Sequence, residues 1–112
     1  KDMILTGGYN VFPNRIERAI CEHPAVAEAA VVGAAHPYFG EVAKAFIVLK
    51  GACSAFTLSQ LQTFLRDKLS RNELPLALEF RASLPRTPLG KLSKNDLVDR
   101  REAREPPSGA RQ

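Results

Sequence analysis

The sequence predicts a small α+β sandwich: a central, roughly three-stranded sheet flanked by helices, with an N-terminal β-hairpin apart from it and a C-terminal lysine-bearing loop and helix. Three observations carry this. Apolar residues recur at helical spacing in separated windows. Short runs of small and β-branched residues stand between those windows, as strands do. Glycines and prolines punctuate the boundaries. The 112 residues suffice for one domain with a modest core.

The elements follow in order. "KDMILTGGYNVFP" holds a short apolar run, a turn at Gly7-Gly8, and a second run with Tyr9, Val11 and Phe12, which is a hairpin signal. Pro13 can open a helix, because a first-turn residue has no amide partner to lose. "PNRIERAICEH" then puts Ile16, Ala19 and Ile20 on one face, with Cys21 on its apolar side as a buried small hydrophobe, and Pro24 stops it. "AVAEAAVVG" and "EVAKAFIVLK" read as strands joined by "AAHPYFG", and "GACSAF" as a loop. Thr57 with Gln60 has capping-box spacing, and Leu58, Leu61, Phe64, Leu65 and Leu69 form the stripe of an amphipathic helix. "LALEF", after Pro75, supplies a further strand. In "LPRTPLGKLSKNDL" Pro85 and Pro88 fix φ and remove donors, so that stretch is a stiff exposed arm ending at Gly90-Lys91. Ser93 with Asp96 suggests a cap for a last helix, "KNDLVDRREA", and residues 105–112 a flexible tail.

Composition excludes several classes. No apolar run reaches the length of a membrane span, and "KDMILTGG" lacks a signal-peptide layout. The absence of an initiator methionine suggests a piece of something longer. Cys21 and Cys53 make no disulfide framework and no metal-ligand spacing, so a cytoplasmic, reducing location and no metal site are expected. Residues 1–80 hold eight basic and eight acidic side chains, and residues 81–112 eight basic and four acidic, so the C-terminal third carries the whole net charge of +4. Such a patch can attract phosphates, or be a solvated face. The aromatics lie mostly outside it, which leaves charge alone in favour of a nucleic-acid or acidic-protein module. Neither His23 nor His36 stands in a nucleophile pattern, and both read as structural.

Lys91 alone reads as an ordinary solvated turn lysine. It is not a P-loop lysine: Pro85 stands where that motif needs glycine, and Leu92 where it needs serine or threonine. Three strings change its weight. "KDMILTGGYNVFPNRIERAICEHPAVAEAAVVG", "GEVAKAFIVLK" and "LPRTPLGK" together resemble the C-terminal small domain of the adenylate-forming enzymes: acyl-CoA synthetases, non-ribosomal peptide synthetase adenylation domains and beetle luciferases.

The resemblance implies roles residue by residue. Residues 1–104 would be the mobile domain of an acyl-CoA synthetase, with a large N-terminal AMP-binding domain as its partner. Lys91 would enter the active site while a carboxylic acid attacks the α-phosphorus of ATP and releases pyrophosphate, on an arm built from Pro85, Arg86, Thr87 and Gly90. Lys1 and Asp2 would be the hinge. Gly7, Gly8 and Tyr9 would line the tunnel for pantetheine, either of CoA or of a carrier protein. ATP, Mg2+ and CoA would be bound mainly by the large domain, leaving this chain inert and without cofactor by itself. Acetylation of Lys91, at a spacing that is modified in relatives, would silence adenylation. Gly40-Glu41 reads as fold-determining, and Lys44 as no ligand contact. There are departures. Glu73 and Leu74 before Pro75, and Leu76 after it, replace basic residues that can hold nucleotide phosphates, a role that would then fall to Arg71 or Arg81. Arg15 replaces a frequent acidic residue and reads as a surface change without chemical meaning, whereas Glu17 is retained.

Overall fold

The computed structural model describes residues 3–94 and Leu97. Two short strands, β1 (Ile4–Thr6) and β2 (Tyr9–Val11), form the hairpin. Helix α1 (Pro13–Ile20) follows, then the long strands β3 (Val26–His36) and β4 (Gly40–Leu49), helix α2 (Leu58–Leu65), a short 3-10 turn at Arg71–Glu73, and β5 (Ala77–Phe80). Among the described residues the sheet has five strands in the order β2-β1-β4-β3, and β5 pairs with β4. The hairpin therefore joins the sheet instead of standing apart, through the pairing of Thr6 with Gly40. β5 runs parallel to β4 because the α2 crossover separates them.

The alternation along β3 and β4 divides the core into two faces. On one, Val31, Ala43, Ala45 and Ile47 pack with Ile16 and Ile20 of α1 and Leu61 and Leu65 of α2. On the other, Ala30, Val32 and Phe46 meet Leu84 and Leu97. Lys94 and Leu97 are helical, and the expected Ser93–Asp96 cap lies outside the described residues at Asp96. Both helices are shorter than the sequence suggests. α1 ends with Cys21 as C-cap, and tight turns from Ile20 to His23 absorb its last carbonyls. Cys21 is therefore exposed rather than buried in the core. Partial burial of its thiol and the nearby Glu17 carboxylate push its pKa up. α2 has the expected capping box: Thr57 Oγ1 accepts from Gln60 N–H at 3.1 Å, and Gln60 Oε1 accepts from Thr57 N–H at 2.8 Å.

β3 is an edge strand, and such an edge needs cover. Glu17 provides some: its Oε2 accepts from Val31 N–H at 2.8 Å and from Lys94 Nζ at 2.6 Å. Among the described residues no helix is long and apolar enough to cross a membrane.

Candidate functional site

Beyond β5 the chain returns across the Phe46 face, and Leu84 is its buried foothold. The arm then closes on itself. Thr87 N–H donates to Lys91 C=O at 2.7 Å, and Gly90 N–H donates to Thr87 C=O at 2.8 Å. Gly90 has φ +88, so the segment is a short hairpin loop closed by a left-handed glycine. Arg86 and Leu92 bridge its limbs, and Thr87 Oγ1 accepts from Lys91 N–H at 3.2 Å. The stiffness expected from two prolines is thus reinforced by backbone hydrogen bonds. Among the described residues the exposed Lys91 ammonium forms no ion pair. Leu89, at the tip beside it, is 86% exposed.

The glycine hairpin lies elsewhere. Gly7 N–H donates to Phe39 C=O at 2.9 Å, which ties the hairpin to the β3–β4 turn. His36 braces that turn, its Nδ1 accepting from Tyr38 N–H at 3.0 Å and Phe39 N–H at 3.1 Å. Glu41 makes a long contact with Leu5 N–H, 3.5 Å, so it supports the hairpin. Gly8 has φ +88, and a Cβ there would meet nothing within 4 Å. Beside the hairpin lies a groove of about 410 Å³, lined in part by Thr6, Gly7, Tyr9, Phe39, Leu76 and Arg71. Its walls are largely apolar. Two polar features stand out: the buried Thr6 hydroxyl has no hydrogen-bond partner, and the exposed Arg71 has no ion pair among the described residues. The resemblance points to the hairpin and to the residues around Pro75 separately; that β1, β2, the β3–β4 turn and the segment around Pro75 line one groove is tertiary, and no local pattern announces it.

The charged substitutions near Pro75 explain one another. Arg15 Nε lies 2.6 Å from Glu73 Oε2, and Glu73 Oε1 accepts from Ser70 N–H at 2.8 Å. Arg15 is therefore more than an isolated surface change: it is the partner of the Glu73 carboxylate. Arg81 is engaged on the other face of the sheet. Its Nε lies 2.8 Å from Glu79 Oε2, and its guanidinium covers the Phe46 ring at 5.0 Å. Lys44 is buried on that face, 3.0 Å from Glu79 Oε1 and 4.8 Å from the Phe46 ring centroid. Burial opposes the charge on Glu79, but hydrogen bonds from Lys44 and Arg81 outweigh it and hold the carboxyl below its ordinary range. His23 stacks on Phe56 and accepts from Ala25 N–H at 3.1 Å, a structural role. The hinge residues Lys1 and Asp2 lie outside the described residues.

Residues 15–91 match the family model of the AMP-binding enzyme C-terminal domain. A long-chain-fatty-acid–CoA ligase of Bacillus subtilis is 42% identical over 99 residues, covering 88% of this chain and 18% of that protein. A fatty acyl CoA synthetase of Mycobacterium tuberculosis superposes with a TM-score of 0.82 at 35% identity, covering 91% of this chain and 20% of that one. ATP-bound MatB of Rhodopseudomonas palustris superposes with a TM-score of 0.84 at 35% identity, covering 89% and 20%. The chain thus spans about a fifth of the length of these relatives.

Proposed function

This chain belongs to the family of AMP-binding enzyme C-terminal domains, and from that premise we propose that it is the mobile small domain of an ATP-dependent acyl-CoA synthetase. One observation carries the reading. A self-closed turn displays an exposed apolar tip and an ammonium without an ion pair among the described residues, which suits complementary anions and apolar surface on another body. In this reading the body is the large N-terminal domain, which holds ATP with Mg2+ and the carboxylic acid. Residues 1–104 move as one unit about Lys1 and Asp2.

In the first half-reaction the substrate carboxylate attacks the α-phosphorus of ATP and pyrophosphate leaves. Negative charge gathers on the carboxylate and phosphoryl oxygens. Lys91 enters as a compact cation with rotatable donors and stabilises both groups. In the second, the domain turns so that the hairpin at Gly7, Gly8 and Tyr9 faces the adenylate, and the thiol of CoA displaces AMP. The groove suits a pantetheine arm, which is slender: its walls are largely apolar, and Arg71 offers a cation for a phosphate. A carrier-protein pantetheine is the second reading of the acceptor, favoured by Leu74 and Leu76 on the groove wall. Acetylation of Lys91 would remove the charge and with it the first step.

Lys91→Ala in the full-length protein tests the reading. ATP–pyrophosphate exchange with a panel of carboxylic acids should fall by about 100- to 1,000-fold. Exchange at the wild-type rate would contradict the assignment.

A further inference from the structure

What sets the direction of the arm is a separate matter from what Lys91 does at its end. The backbone hydrogen bonds of residues 85–93 close within that segment. Among the described residues no strand pairing continues the arm into the sheet, and its apolar footholds are Leu84 and the half-buried Leu92. Two side-chain links reach the β3 edge. Arg86 Nη2 donates to Glu28 Oε1 on β3. Lys94 Nζ lies 2.6 Å from Glu17 Oε2, the oxygen that also receives Val31 N–H of β3. The first link acts at the limb that leads straight into the turn. Arg86 adjoins Thr87, whose hydroxyl and backbone hold Lys91, and it is bridged to Leu92 on the return limb. Fixing Arg86 therefore fixes both limbs.

We propose that Arg86 and Glu28 are positioning residues for adenylation, holding the turn against the β3 edge so that Lys91 projects in one direction. The inference rests on the reading of Lys91 given above. The side chains are 44% and 42% exposed, so the pair is half in water and contributes little to the fold. Orientation is a different demand, because a small misplacement of a catalytic cation costs rate directly. Without the pair the turn keeps its internal hydrogen bonds but swings on its apolar base, and Lys91 spends less time where charge develops.

The test uses the full-length enzyme with Glu28→Gln, Arg86→Met and Arg86→Lys beside Lys91→Ala. Each is assayed for ATP–pyrophosphate exchange and, separately, for thioester formation from supplied acyl-adenylate and CoA. The expected result is a fall in kcat for exchange of about tenfold in Glu28→Gln and Arg86→Met. KM for ATP should hold within about twofold, since no substrate contact is lost. Thioester formation should be unchanged, and Arg86→Lys should recover most of the exchange. Unchanged exchange, an equal loss in both half-reactions, a rise in KM alone, or no recovery in Arg86→Lys would each overturn the inference. The Lys91→Ala arm separates the two ideas. If it leaves exchange intact, the adenylation reading fails. If it abolishes exchange while the Glu28 and Arg86 variants do not, only the positioning role fails.

Discussion

The two ends of this domain are built on different principles. The arm end rests on side chains: Phe46 lies in the core beneath Leu84 and Leu97, Lys44 and Arg81 lie over its ring, and Arg86 reaches Glu28. The hairpin end rests mainly on backbone, with His36 and Glu41 accepting from main-chain amides: glycine turns, the Gly7–Phe39 hydrogen bond and an open groove. They are also far apart. The hairpin joins β4 at Gly40, whereas Glu28 pairs across from Val48, a separation of about 27 Å at roughly 3.4 Å per residue. Moreover, β3 and the hairpin lie on opposite sides of β4. A cation needs a firm platform to be aimed, while a surface that a flexible arm must slide past needs clearance. In the proposed reading, a domain carrying both at opposite corners presents them to one reaction centre in turn by rotating.

The largest expected effect attacks the arm's platform. Phe46→Ala empties a fully buried site and should cost about 3–5 kcal/mol of stability. Urea unfolding of the domain would measure the loss. Hydrogen exchange should show protection lost first at Thr87 and Gly90, with Gly7 affected less. Equal loss at both ends would dissolve the contrast.

Glu79→Ala is next. It leaves Lys44 buried without its carboxylate, at a cost of about 1–3 kcal/mol, whereas Lys44→Met should be close to neutral because Arg81 still serves Glu79. The sign with pH follows from the lowered Glu79 pKa. Its stabilisation is fully present above the unfolded value of about 4.3 and fades as pH falls through the lower folded value. The gap in urea midpoint between wild type and Glu79→Gln should therefore be constant near neutrality and shrink below about pH 4. A gap that widens on acidification would contradict the pairing.

The smallest effect sharpens the hairpin end. Arg71→Ala should raise KM for CoA about fivefold, the scale of an exposed charge contact, and leave dephospho-CoA and the exchange reaction unchanged. No change with CoA would favour a carrier-protein acceptor.

Much of this was legible in the chain, for physical reasons that differ by element. The α2 stripe and its Thr57–Gln60 cap, the Pro13 helix start and the Gly7-Gly8 turn are local signals, and the structure has all of them. The Gly90-Lys91 arm was legible because the prolines restrict the backbone locally and glycine permits the left-handed turn. What could not be read was tertiary. Arg15 and Glu73 are 58 positions apart, as are Glu28 and Arg86, and nothing local announces that either pair meets. The exposure of Cys21 follows from α1 ending earlier than its apolar pattern suggests. The link from the hairpin to the sheet rests on the Thr6–Gly40 pairing, too slight to leave a pattern.

The central claim is that opposite corners of one domain serve successive half-reactions. The most direct measurement places Lys91→Ala beside Gly8→Ala in the full-length enzyme and follows each half-reaction separately. At Gly8 a methyl meets nothing within 4 Å among the described residues, so the substitution acts on the turn through its left-handed backbone, at a strain of about 1–3 kcal/mol. The prediction is a crossed pattern: Lys91→Ala loses adenylation and keeps thioester formation, while Gly8→Ala keeps adenylation and loses thioester formation. Both variants failing in the same half-reaction would contradict the account.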